Sequence, residues 1–200
     1  MDERTGSCER NSSETQLRCE VRLPAQVADV SPQLEIGTGL PFLDHMLEQT
    51  ARYGLFHLRL LGQGDIQVDP HHLLEDAGIV FGQALSQALG DRSGIVRFSS
   101  AYAPLDDALA RVVLDLGKRP YLCFNLDLWG RIGNLESETI EEWWRAFSIH
   151  AGATVHVDSI RGHNRHHVAE SAFKALGLAL RQAVAPGGVA GTPSSKGLLG

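Results

Sequence analysis

The chain has 200 residues, enough for one well-filled domain or for two small halves sharing a core. Hydrophobic residues at 43% and charged residues at 21% are ordinary for a soluble globular protein, and no apolar run is long enough to span a membrane. A formal net charge of -6, with Arg and Lys scattered, argues against a nucleic-acid partner and points to a small anion as the electrostatic ligand.

In chain order, Met1 to Ser13 is polar with no apolar h-region, which excludes a secretory signal and predicts an arm partly disordered over its first ten or so residues. Cys8, Cys19 and Cys123 are odd in number and share no CxxC spacing, as expected of reduced thiols in a cytoplasmic protein. Strands are predicted at Gln16 to Leu23 and Gln33 to Ile36, then a Gly37-Thr38-Gly39 turn and a helix over Pro41 to Tyr53. Leu55 to Leu61 and Asp65 to Val68 read as strands before a helix that opens His71-His72-Leu73-Leu74-Glu75 and runs to Leu89. Gly90 to Gly94 closes it.

The order then recurs. Strand signals cover Val96 to Tyr102, Ala108 to Leu116 and Tyr121 to Leu128; a helix spans Ile140 to about His150, and a strand Thr154 to Val157. A second helix opens His166-His167-Val168-Ala169-Glu170 and continues to Val184. Two HHxxE motifs 95 residues apart, within a recurring order of elements, imply an α+β fold of duplicated half-domains in which a sheet carries helices on one face. The halves run from about 10 to 92 and from about 93 to 186, with a tail over 187–200.

On a helix, His71 and Glu75 share a face, as do His166 and Glu170, so imidazole and carboxylate can converge on one ion. His72 and His167, rotated by about 100°, suit a second ion or another chain. Imidazole with carboxylate suits Mn, Fe, Zn or Ni, and the absence of thiolate from both motifs weakens a structural zinc reading. His45 precedes His71 by 26 residues and Glu142 precedes His166 by 24, so each can reach the metal region from the neighbouring helix. Glu14 and Asp106 correspond at an offset of 92.

Further motifs make the comparison specific. They are Gly39-Leu40-Pro41-Phe42-Leu43-Asp44-His45-Met46-Leu47, Gly94-Ile95-Val96-Arg97-Phe98, Asp115-Leu116-Gly117-Lys118-Arg119-Pro120, Gly162-His163-Asn164-Arg165-His166-His167, Phe173-Lys174-Ala175 and Pro193-Ser194-Ser195-Lys196-Gly197. Together they make the chain, from about Glu14 to Gly197, resemble the imidazoleglycerol-phosphate dehydratases of histidine biosynthesis.

The resemblance implies a lyase that converts D-erythro-imidazoleglycerol phosphate to imidazole-acetol phosphate and water. It also implies that each duplicated half is a mainly four-stranded sheet with two helices on one face, and it implies two Mn(II) ions per site and a homo-oligomer of 24 subunits built from trimers. The implied metal ligands are His45, His71, His72, Glu75, Glu142, His166, His167 and Glu170, with Glu142 where the family commonly has histidine. His156 matches a histidine read as structural, while His57, His150 and His163 read as surface or loop residues. The implied catalytic carboxylates are Glu14, Asp106, Glu75 and Glu170, with Glu14 the first choice of base and Asp106 the second. Gln49, Arg97, Arg119, Lys174, Ser195 and Lys196 would bind substrate and phosphate. The proton lost sits on carbon without an adjacent carbonyl, so the imidazole ring must take up electron density, helped by a metal acting as Lewis acid.

Lys174 has Ile79 as its counterpart in the first half, so the duplication breaks where a phosphate ligand is needed. The chain departs from the family pattern at Leu73 (usually threonine), Tyr53 (commonly histidine), Gly117-Lys118-Arg119 and Leu105-Asp106-Asp107. Two other classes fit the HHxxE motifs alone: a scaffold whose ions only join subunits, and a binuclear metallohydrolase. The scaffold does not account for Lys174, Arg97, Arg119 and the Pro-Ser-Ser-Lys tail, and the sequence holds neither a phosphatase-type DxDxT motif nor a second catalytic domain, which disfavours a bifunctional phosphatase.

Overall fold

The computed structural model describes residues 3–25, 31–187, 191, 193–194 and 199. Two four-stranded sheets, alike in topology, enclose a layer of four helices. The first sheet holds β1 (Arg4–Asn11), β2 (Thr15–Leu23), β3 (Leu34–Gly37) and β4 (His57–Gly64) in the order β1-β2-β4-β3. The second holds β5 (Phe98–Leu105), β6 (Ala108–Asp115), β7 (Tyr121–Asn125) and β10 (Thr154–Arg161) in the order β5-β6-β10-β7. In both, the third strand pairs parallel with the fourth and the remaining pairs are antiparallel. A short hairpin, β8 (Arg131–Ile132) with β9 (Leu135–Glu136), is inserted only in the second half.

Alternation explains which sheet face the helices cover. Thr15, Leu17, Cys19, Val21 and Leu23 of β2 point inward, as do Ala108, Ala110, Val112 and Leu114 of β6. The helices are α1 (Pro41–Gly54), α2 (His71–Leu89), α3 (Ser137–Ala151) and α4 (Arg165–Ala183). Pro41 opens α1 with a preset φ. Thirteen of the 19 residues of α2 are buried, as expected of a helix apolar nearly all round.

The helices pair across the halves. α2 lies on β1 and β2 of its own sheet but packs side by side with α3, while α4 lies on β5 and β6 and packs with α1. Phe81 of α2 stacks with Trp143 and Phe147 of α3. Thr50 of α1 donates to the Phe173 carbonyl of α4 at 3.1 Å.

Several boundaries differ from those read in the sequence. The polar N-terminal arm is β1, paired over eight residues with β2, and Gly6 lets it lie against α2. Asp65 to Val68 is a turn, closed by the Val68 N–H on the Asp65 carbonyl at 2.7 Å. Leu55 is the left-handed cap of α1, so β4 begins at His57. Val96 and Arg97 precede β5, because their N–H groups bond the Ala185 and Ala183 carbonyls at the end of α4.

Candidate metal and phosphate site

The N-terminal end of α4 and the first turn of α1 meet at one carboxylate. Glu170 Oε2 lies 3.1 Å from His166 Nε2, one helical turn back, and 3.2 Å from His45 Nε2 across the α1–α4 contact. Asn164 sets the register of α4 by accepting the His166 N–H at 3.0 Å. Phe42 packs edge-on against the His166 ring. On the other oxygen, Lys174 Nζ approaches Glu170 Oε1 to 2.8 Å, and Gln49 reaches His45 Nδ1 at 3.5 Å. Burial acts to raise the Glu170 carboxyl, but Lys174 and His45 outweigh it and hold it below the usual value.

Among the described residues, His45, His166 and Glu170 form a set able to hold a metal ion, their donor atoms lying within 4.8 Å of one another. The two imidazole-to-carboxylate distances, 3.1 and 3.2 Å, are spans that two ligand bonds of about 2.0–2.2 Å can bridge. Two imidazole nitrogens and a carboxylate oxygen suit a borderline divalent ion such as manganese, iron or zinc. The donor set fits the implied metal.

The equivalent set in the other half is not drawn together. His71 and Glu75 lie on α2 beside α3, where Glu142 instead meets Arg145 Nε at 3.3 Å. His156 faces the outer side of β10, away from the helices, since its neighbours Val155 and Val157 point inward.

The second histidine of each motif turns elsewhere. His72 Nδ1 lies 3.2 Å from Asp65 and 3.9 Å from Glu14 Oε2. His167 Nδ1 lies 2.7 Å from Asp107, and its Nε2 is 3.8 Å from Asp106. Glu14 and Asp106 thus occupy matching turns, β1–β2 and β5–β6, each beside one of these rings. The turns are anchored differently. Thr15 donates to Asp76 Oδ2 at 2.5 Å, and Arg10 Nε donates to its other oxygen at 2.6 Å. Asp107 Oδ2 accepts the backbone N–H groups of His163 and Asn164, which with His167 hold its carboxyl well below the usual range.

Arg97 and Arg119 gather at the far end of β6. Arg97 pairs with both oxygens of Asp115, at 2.7 and 3.0 Å, and Arg119 reaches Asp115 at 3.7 Å. The Arg97 backbone bonds to Ala183, 13 residues past Glu170 on α4 and so roughly 20 Å along its axis. Within one chain these cations stand apart from Lys174 and Gln49. Ser195 and Lys196 lie outside the described residues.

A family model described as imidazoleglycerol-phosphate dehydratase matches residues 38–180. The chain belongs to the imidazoleglycerol-phosphate dehydratase family. The dehydratase of Acidithiobacillus ferrooxidans is 47% identical over 202 residues, covering 100% of this chain and 99% of that protein. The crystal structure of the Staphylococcus aureus enzyme superposes with a TM-score of 0.78 at 38% identity, covering 91% of this chain and 99% of the other. That of the Pyrococcus furiosus enzyme, in complex with (S)-C348, gives 0.82 at 32% identity, covering 96% and 100%. Membership makes the chain a hydro-lyase of histidine biosynthesis.

Asp65, Asp76 and Asn164 are site residues that sequence reasoning missed. Asp76 directly follows the HHxxE glutamate, and Asn164 stands two residues before His166 in a capping position. Asp65 opens a segment whose sequence reads as a strand, and nothing there marks a site residue.

Proposed function

We propose that this enzyme dehydrates D-erythro-imidazoleglycerol phosphate to imidazole-acetol phosphate, using two Mn(II) ions per site in a homo-oligomer of 24 subunits built from trimers. The reading is carried by one observation: two histidines and a buried glutamate converge, with Lys174 and Gln49 beside them. His45, His166 and Glu170 would hold one ion, and His71, Glu75 and Glu142 the other. When bound, the ions supply Lewis-acid polarisation of the substrate imidazole.

The chain's own groups do the rest. Lys174 and Gln49 bind and orient the substrate, fixing its reacting carbons relative to the carboxylates. Glu14 removes the carbon-bound proton, and Asp106, in the matching turn, is the alternative base. Arg97 and Arg119 complete phosphate binding from a second copy, because they gather at the far end of α4 from Lys174 within one chain, and Ser195 and Lys196 add further donors to that phosphate. His72 and His167 supply the metal donors of a neighbouring subunit. A scaffold that uses metal only for assembly would have no need of an ammonium beside the cluster.

Mn(II)-loaded protein should form the acetol product, and a chelator should abolish turnover. Full metal occupancy without turnover would instead favour the scaffold. Glu14→Gln should bind metal normally yet lose most of kcat; if it keeps full activity, Glu14 is not the base.

A further inference from the structure

The second histidine of each motif is held in a way that duplication does not explain. On α2, His72 Nδ1 lies 3.2 and 3.3 Å from the two oxygens of Asp65, the residue that follows β4. On α4, His167 Nδ1 lies 2.7 Å from Asp107 Oδ1, in the β5–β6 turn. An inherited contact would come from matching places. The residue that follows β10 is Gly162, which has no side chain to offer. The residue after Glu14 is Thr15, and its hydroxyl is committed to Asp76. Two unrelated positions therefore deliver a carboxylate to the same ring atom.

A carboxylate at Nδ1 accepts that N–H, so the proton stays on Nδ1 and the lone pair on Nε2. The surroundings of His167 agree. Asn164 Oδ1 accepts the His166 N–H, which fixes the amide, and the Asn164 Nδ2 donor then lies 3.3 Å from His167 Nε2. Neither His72 nor His167 belongs to the set formed by His45, His166 and Glu170. Each ring thus presents an Nε2 donor that its own chain's cluster does not use.

We infer that Asp65 and Asp107 are positioning residues, each locking its histidine as an Nε2 donor to a metal ion by a device the two halves acquired at different places. The inference rests on the metal-dependent reading above, and it concerns how the ligands are prepared.

The test uses the full chain, stripped of metal. Asp65→Ala and Asp107→Ala should each weaken Mn(II) binding about 10–100-fold by titration calorimetry. Asp65→Asn, whose carbonyl can still accept the N–H, should restore part of that loss. Asp107 also anchors the His163–Asn164 backbone, so a second readout separates positioning from folding. In protein labelled with 15N-histidine, at a pH where the rings are neutral, His72 and His167 should show the Nδ1–H tautomer. In Asp65→Ala the His72 signal should move toward Nε2–H. An Nε2–H tautomer in the unaltered protein, or undiminished Mn(II) affinity in both alanine variants, overturns the inference. Unaltered protein that binds no Mn(II) would sink the functional reading instead, a separate outcome.

Discussion

Glu170 is the side chain on which the site turns, because four groups depend on its two oxygens and its immediate neighbours. Removing Lys174 takes away the cation that offsets its burial and, on the proposed function, an anchor for the substrate phosphate. Lys174→Ala should therefore lower kcat/KM by roughly ten- to a hundredfold, the effect of losing a charged hydrogen bond of about 1.5–3 kcal/mol. Steady-state kinetics would show it mainly as a rise in KM. Glu142 gives a second prediction at this scale. It is engaged with Arg145, so Mn(II) should bind in two unequal steps, and Glu142→His should strengthen the weaker one in a calorimetric titration. The meeting of His166 with Glu170 was legible because helical spacing alone puts i and i+4 side by side. Asp65 and Asp107 were not, because each meets its histidine from a turn, 7 and 60 residues away, and no periodicity encodes that meeting.

At the level of elements, close helix contacts depend on glycines at matching places. A Cβ on Gly82 of α2 would come within 2.7 Å of the Ala151 nitrogen of α3, and one on Gly177 of α4 within 2.4 Å of the Thr50 carbonyl oxygen of α1. The two positions are 95 residues apart, the same interval that separates the motifs. Gly82→Ala and Gly177→Ala should each cost about 1–3 kcal/mol through overpacking. Thermal unfolding should show this as a drop of roughly 2–4 °C per kcal/mol. Strands with alternating apolar residues, β2 and β6 above all, were readable in advance. β1 was not: its sequence Arg4–Asn11 buries only Gly6, so it carries no alternating signal and is a strand through pairing with Cys19 and its neighbours on β2. Gly6→Val would push against the Ala84 carbonyl and Ala88 nitrogen of α2, and amide exchange in β1 should rise sharply.

For the whole molecule, the duplication was legible as an interval, but the partner of each helix was not, since an apolar face does not say what covers it. The pairs α1–α4 and α2–α3 tie the halves through one layer, and the aromatic stack of Phe81, Trp143 and Phe147 straddles the join. Residues 1–92 expressed alone should therefore show little protected structure. Mixed with residues 93–200, they should recover a cooperative transition by circular dichroism. Independent folding of either piece would contradict the exchange.

That exchange also bears on ancestry. A chain of half this length, whose α1-like helix does not pack on its own HHxxE helix, would need that helix from an identical neighbour, and so would work as a symmetric pair with two indistinguishable sites. In such a pair every substitution lands twice. In one covalent chain the two positions are independent, so position 174 holds lysine while its twin, position 79, holds isoleucine, and the two ends of the helix layer differ in charge where a symmetric pair could not.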